Sequence, residues 1–298
     1  MDKRMVIDIP RIRRDQHPDL RQVLKGRTRP ALLEGYIEHW PAFGRWTPSF
    51  FAQQHGAREV LVERSRVSPV PTQPAEYLGQ RHYAKAKLGT TIQGMLEQGS
   101  AYGGYITYAA IFNELPELKS EIAPLHEDSG FPRWMPGWLR KKLVLRPGFW
   151  LGPKGMSSPM HFDRHENLNV QLYGSKRWVL FAPGQSSRVY YKQDSGMPVI
   201  YSPVDMSAPD LERFPLLAGA ERHDFVLEAG QVLYLPPGWW HYVESQSDAI
   251  NVNYWWWSPR AVRTVCRIEW ASLWRALRGK LRRRHELGNS NKPTSMPL

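Results

Sequence analysis

The sequence has a single cysteine, Cys266, in 298 residues. No disulfide can form within the chain, and no thiolate cluster can hold a metal, so any metal site must use histidines and carboxylates. A reducing, cytoplasmic setting is the expectation. No apolar run approaches the roughly 18–20 residues that span a bilayer. The start, MDKRMVIDIPRIRRD, is basic but has neither an apolar core segment nor a small-residue cleavage site, so it does not read as a signal peptide. The body of the chain also lacks a charge excess. Residues 1–29 carry nine Lys and Arg against four acids, and 260–298 carry ten against two. Of the net +12, this leaves −1 for the 230 residues between. Two readings of the basic ends stand: an acidic partner such as RNA or a membrane surface, or a solubilising tail and one solvated helix face.

What is present is aromatic and rich in turns. There are 13 Trp and 25 Pro, and 42% of the residues are hydrophobic. That content excludes a disordered chain, and the length supports a sizeable core. Strands are expected at Val6–Pro10, Ala31–Glu34, Glu59–Glu63 and Tyr105–Phe112. Short helices are expected at Thr47–Gln54, with Thr47 as N-cap and Pro48 at the first helical position, and at Thr91–Glu97. Residues 65–83 read as a loop and 113–147 as a connecting region. From Leu143 onward, short β-like runs recur at Phe149–Leu151, Asn167–Leu172, Arg177–Phe181, Phe225–Leu227, Val232–Leu235 and Ile250–Trp257. GPKG, YGSK, APG, EAG and PPG separate them. Many short strands with no helices between them predict an antiparallel sandwich or barrel. After Pro259, the residues Val262, Cys266, Trp270, Leu273, Trp274, Leu277 and Leu281 fall at helical spacing, with arginines on the other face.

The chemistry concentrates in SSPMHFDRHENLNVQLYGSKRWVLF. His161 and Asp163 are two residues apart and share a face if they lie on a strand. His241 follows a strand and a Pro-Pro-Gly turn, so in a closed barrel it can return beside the pair. Two histidines and one carboxylate form the facial triad that holds Fe(II) and leaves positions open. A lone H-x-D is common by chance, and a histidine after a strand is usually a core or rim residue. Three neighbours strengthen the metal reading. Lys176 faces inward if the alternation holds, and a buried lysine needs an anion. Asn167 and Asn253 interrupt apolar strands and need hydrogen-bond partners. A bound dicarboxylate would satisfy all three. His165 shares the strand spacing but reads as lining the substrate side or supporting the ligands, because a fourth nitrogen would close an oxygen position. The Trp255–Trp257 run reads as core packing rather than a stacking platform.

S-P-M-H-F-D, N-L-N-V-Q-L-Y-G-S-K-R-W-V-L-F-A-P, D-L-E-R-F-P, L-E-A-G-Q-V-L-Y-L-P-P-G-W-W-H-Y-V-E-S and N-V-N-Y-W-W occur in this order. Together they resemble the JmjC-type Fe(II)- and 2-oxoglutarate-dependent oxygenases, in the cupin-like branch that includes the asparaginyl hydroxylase inhibiting hypoxia-inducible factor and the tRNA wybutosine hydroxylase. The resemblance covers about residues 29–259. It implies a mainly β fold: a double-stranded β-helix (jelly-roll or cupin barrel) with flanking helices and a C-terminal amphipathic helix. It implies His161, Asp163 and His241 as iron ligands and Lys176 as the partner of the distal carboxylate of 2-oxoglutarate. Ser158 and Tyr105, with Tyr108 as the fallback, would reach the same carboxylate. Asn167 and Asn253 would line the site near the co-substrate.

The implied reaction hydroxylates a C–H bond with O2, releasing succinate and CO2. A protein or peptide side chain is the leading substrate. The alternatives are the same chemistry on tRNA or a small metabolite, a non-catalytic cupin-type binding module, and a cupin isomerase using Mn or Zn. The expected organisation is a basic N-terminal segment (1–28), the oxygenase domain (29–259), a helix at 260–285 that pairs two copies into a homodimer, and a disordered tail (286–298).

Overall fold

Two mainly antiparallel sheets face each other, the larger with one parallel edge pair, and their strands alternate between an inner and an outer side. In this computed structural model, residues 5–65, 80–107, 110–123, 125, 131, 132, 134–190 and 200–267 are described. The strands are β1 (Arg11–Arg13), β2 (Ala31–Glu34), β3 (Glu59–Ser65), β4 (Arg81–Lys87), β5 (Gly104–Ile106), β6 (Gly148–Gly152), β7 (Ser157–Phe162), β8 (Glu166–Tyr173), β9 (Ser175–Phe181), β10 (Ile200–Tyr201), β11 (His223–Glu228), β12 (Val232–Leu235), β13 (Trp240–Ser245) and β14 (Ala249–Trp256). The larger sheet runs β1-β2-β12-β8-β14-β6-β5-β3-β4 and the smaller runs β10-β7-β13-β9-β11. From β6 onward the chain passes repeatedly from one sheet to the other. This is the double-stranded β-helix that the run of short strands predicts.

Period-two patterning decides what each face meets. On β8, Leu168, Val170 and Leu172 join the large core outside the big sheet, and on β14 Ile250, Val252, Tyr254 and Trp256 do the same. That core is covered by the helices Pro48–His55 and Leu88–Gln98, through Phe51, Ile92 and Met95. Outside the small sheet, Met160, Phe162, Val179, Phe181, Trp240 and Tyr242 form a second core with Val189, Val204, Met206, Phe214, Leu217 and Ala220. Between the sheets, Trp178, Leu180, Leu227, Leu233, Leu235 and Trp239 plug one end of the barrel. The other end holds the polar inner residues of β8 and β14.

The helix cap is as expected. Thr47 Oγ1 accepts the Phe50 backbone N–H at 3.0 Å, and Pro48 opens the helix. At the junction of β7 and β8, buried Glu166 accepts hydrogen bonds from Tyr234 (2.7 Å), Ser258 (2.6 Å) and Arg260 Nε (3.1 Å), which tie the segment after β14 to the barrel.

Several expectations need correction. Tyr105–Phe112 is not one strand: it pairs only over 104–106 and is helical by Ala110–Glu114, because Asn113 and Glu114 leave the sheet for the surface. The stretch read as a loop at 65–83 ends in β4, whose alternating RHYAKAK pairs antiparallel with β3. Val6–Pro10 makes only a bridge from Val6 to Arg222, and the strand follows at β1. The helix after Pro259 is described to residue 267. Trp270 onward, with most of the helix expected to pair two copies and the tail, lies outside the described residues, as does Tyr108. Among the described residues, no helix is long and apolar enough to cross a membrane.

Trp46 lies fully buried among Phe51, Phe112 and Phe149, and its indole N–H donates to Glu121 at 2.8 Å. Trp46→Ala is expected to cost about 3–5 kcal/mol, read as a lowered urea midpoint with an unchanged slope.

Candidate metal and co-substrate site

β7 and β13 are hydrogen-bonded neighbours, and their register sets His161 opposite His241. The two imidazoles lie 4.2 Å apart, centroid to centroid. Each ring is held by its own backbone. His161 Nδ1 donates to the carbonyl of Pro159 at 2.7 Å, and His241 Nδ1 to the carbonyl of Trp239 at 3.0 Å. A carbonyl only accepts, so Nδ1 carries a proton on both rings and Nε2 is the nitrogen left for the cluster. Asp163 stands just past the end of β7, and its carboxylate joins the histidines: ligand atoms of His161, Asp163 and His241 all lie within 4.8 Å of one another.

The carboxylate is aimed as firmly as the rings. Asp163 Oδ2 accepts from Trp255 Nε1 at 3.0 Å and from Asn167 Nδ2 at 3.3 Å, which leaves Oδ1 for a cation. Two glycines make this geometry accessible. A Cβ on Gly148 would stand 2.6 Å from the Trp255 ring. Gly238, at φ +81°, turns the chain after Pro236-Pro237, and its N–H donates to the Asp163 carbonyl at 2.9 Å, bringing His241 back beside the carboxylate. Burial pushes the Asp163 carboxyl up, but His241, His161, the Trp255 hydrogen bond and His165 together hold it below the usual carboxylate range. Burial lowers His241 to about 4, so its ring is neutral at pH 7. Two imidazoles and an ionised carboxylate converging on one wall are a donor set that suits a divalent metal of the first transition row.

The cluster opens on a cavity of about 320 Å3 between the sheets. Ser158, Tyr105, Asn167, Asn253 and Lys176 line it, so the structure brings together every residue expected there from the sequence. Lys176 lies deep in the protein yet keeps part of its surface open to the cavity, and its Nζ donates to the amide oxygen of Asn251 at 2.5 Å. Burial lowers its pKa to about 7. Its hydrogen bond goes to a neutral amide and not to a carboxylate, and a buried lysine facing a cavity in this way suits an anionic group on a ligand. His165 does not join the cluster. The chain turns at Arg164–His165 between β7 and β8, which breaks the strand spacing, and the ring packs edge-on against Trp257 at 4.3 Å. Trp255 and Trp256 are buried as expected, and Trp255 also lines the cavity.

Sequence reasoning missed other wall residues. Asn169 and Asn251 lie on the inner faces of β8 and β14, and the Asn169 side-chain oxygen is buried without a partner. The N-L-N-V-Q and N-V-N alternations carried the signal for both. Trp150 stacks on Tyr105 at 6.0 Å. Glu63, 4% exposed, reaches the cavity from β3 and accepts the Tyr83 hydroxyl at 2.9 Å. No spacing signal marked Glu63, because it shares a face of that strand with exposed Glu59 and Leu61, as it would on a solvated face.

A double-stranded β-helix with a His–Asp–His cluster facing its cavity defines a cupin-type barrel protein. A profile of the cupin-like domain family matches residues 19–261, and the chain belongs to this family, in its JmjC-type branch of Fe(II)- and 2-oxoglutarate-dependent oxygenases. It is 32% identical over 231 residues to Jumonji C domain-containing protein 5 of Drosophila melanogaster, covering 76% of this chain and 54% of that protein. Lysine-specific demethylase 8 of Xenopus tropicalis is 28% identical over 235 residues, covering 76% and 48%. JmjC domain-containing protein D of Dictyostelium discoideum is 26% identical over 251 residues, covering 77% and 51%. The chain thus spans about half the length of these curated relatives.

The neutral state of buried His241 links folding to pH. Its ordinary value of 6.5 is lowered to about 4 in the folded protein. Its contribution is therefore complete above pH 6.5 and is lost as pH falls through about 4. The melting temperature of the metal-free protein should fall more steeply across that window than that of His241→Gln.

Proposed function

We propose that the chain is an Fe(II)- and 2-oxoglutarate-dependent oxygenase that hydroxylates a C–H bond of a protein or peptide side chain, with release of succinate and CO2. One observation carries the reading: a single cavity has on its walls both the His161–Asp163–His241 cluster and the buried Lys176 amino group, which is bonded to a neutral amide. The three ligands would hold the iron. Lys176 would pair with the distal carboxylate of 2-oxoglutarate by a charge-assisted contact, with Ser158 and Tyr105 beside it. Bound iron and co-substrate supply, with O2, the oxidant for C–H hydroxylation. The barrel supplies orientation and, through the apolar plug at its closed end, exclusion of water.

Within this reading, Glu63 and the aromatic walls support a basic substrate side chain. A buried carboxylate beside Tyr83, with Tyr105, Trp150 and Trp255 on the same cavity, suits an ammonium or guanidinium. The name of the Xenopus relative, lysine-specific demethylase 8, points to the same class of side chain.

His161→Ala and Asp163→Ala should abolish succinate formation, and turnover unchanged in either variant overturns the assignment. Anaerobic titration with Fe(II) and 2-oxoglutarate should give a weak visible charge-transfer band that Lys176→Ala diminishes. For the substrate, Glu63→Gln should raise KM for lysine- or arginine-containing peptides by about tenfold, the loss of one charge-assisted contact. Mass spectrometry of the peptide distinguishes a retained hydroxyl from demethylation with formaldehyde release. Equal KM values for the two proteins would remove Glu63 from recognition.

A further inference from the structure

A continuous chain of hydrogen bonds crosses the cavity wall from Lys176 to Asp163. Lys176 Nζ donates to Asn251 Oδ1 at 2.5 Å, Asn251 Nδ2 to Asn253 Oδ1 at 2.9 Å, Asn253 Nδ2 to Asn167 Oδ1 at 3.0 Å, and Asn167 Nδ2 to Asp163 Oδ2 at 3.3 Å. Asn169 Nδ2 adds a second donor to Asn253 Oδ1 at 3.0 Å. All four asparagines are at most 4% exposed. β8 and β14 are paired with Asn253 opposite Asn169 and Trp255 opposite Asn167, so the amides stand side by side on one face.

The direction of the chain is set at both ends. An ammonium only donates, so Asn251 must turn its oxygen to Lys176. A carboxylate only accepts, so Asn167 must turn its NH2 to Asp163. Each amide between them then has one orientation, because reversing any one sets donor against donor and acceptor against acceptor. The dipoles run head to tail from cation to anion, an arrangement in which each hydrogen bond strengthens the next.

We propose that Asn251, Asn253 and Asn167 form a polarised positioning chain through which the Lys176 ammonium holds the Asp163 carboxylate in the orientation that a cation needs. The lysine therefore has a second role besides pairing with a carboxylate of the co-substrate: it organises the metal ligand before any co-substrate arrives. The proposal rests on the reading of His161, Asp163 and His241 as a cation site. It assigns Asn251 and Asn253 as positioning residues, acting on Asp163 through Asn167.

The sign of one effect separates this from simple electrostatics. Removing a positive charge near a dication should tighten its binding. If the chain holds Asp163, removing the lysine should weaken it. The test is Co(II) binding to the full-length metal-free protein without 2-oxoglutarate, followed by visible absorption. Lys176→Met is expected to weaken Co(II) binding about three- to tenfold, in the range of coupling within one hydrogen-bond network. Lys176→Arg keeps a donor and should stay near wild type. Asn253→Val should cost about tenfold, as removal of an outer partner of a ligand does. In the Asn253→Val background, Lys176→Met should weaken binding no further. Unchanged or tighter binding by Lys176→Met in the wild-type background overturns the proposal, and so does an equal loss in both backgrounds. If Asn253→Val does not unfold cooperatively, Asn251→Ala breaks the chain beside the lysine and replaces it in the cycle. Absence of Co(II) binding by the wild type overturns the cation reading itself, whereas normal binding that is insensitive to Lys176 overturns the chain alone.

Discussion

Every inner-face residue of β8 and β14 from Asn167 to Gln171 and from Asn251 to Trp255 is buried, and Asn167, Asn169, Gln171, Asn251 and Asn253 among them are polar. A buried amide without partners costs about 1–3 kcal/mol, so these side chains must satisfy one another or a ligand. They largely do the first, through the bonds that join Asn251, Asn253, Asn169 and Asn167. This constraint also protects the register. A slip of one residue would bring Leu168, Val170, Ile250 and Val252 inward and expel the amides into the oily outer core.

The small sheet supplies the charge that the amides connect. His161 and His241 come from paired strands, Lys176 is the second residue of β9, and Asp163 follows β7. Placing the ammonium and the carboxylate on one sheet and the neutral amides on the other keeps opposite charges inside the barrel without collapsing them into a direct ion pair. A direct Lys176–Asp163 pair would consume both the anion that a metal needs and the cation that a dicarboxylate needs. The amide row connects and orients both groups while keeping them apart.

Much of the site was legible as pattern. His161 and Asp163 at a spacing of two, His241 after a Pro-Pro-Gly turn, and Lys176 after Y-G-S each met a chemical requirement that local alternation could express. Asn169 and Asn251 were equally visible as period-two partners of Asn167 and Asn253, but polar residues in apolar runs were weighed singly rather than as a row. His165 was harder. Its spacing from Asp163 matched a strand, and only the turn at Arg164–His165 took it to Trp257. Glu63 gave no signal because its strand changes surroundings along its length: Leu61 on the same side is 42% exposed, whereas Glu63, two residues on, meets the cavity.

The sequence alone determined the alternation, the turns and the inventory of ligand types, because these depend on residues within a few positions of each other. It therefore specified a β barrel with a histidine–carboxylate cluster and a buried lysine. The tertiary structure decided which oxygen of Asp163 is left open and how the lysine is connected to the carboxylate. Those facts rest on contacts between residues 75 to 92 positions apart, Lys176 with Asn251, Asn253 with Asn167 and Trp255 with Asp163. No local pattern encodes such contacts, because they exist only once the two sheets have closed.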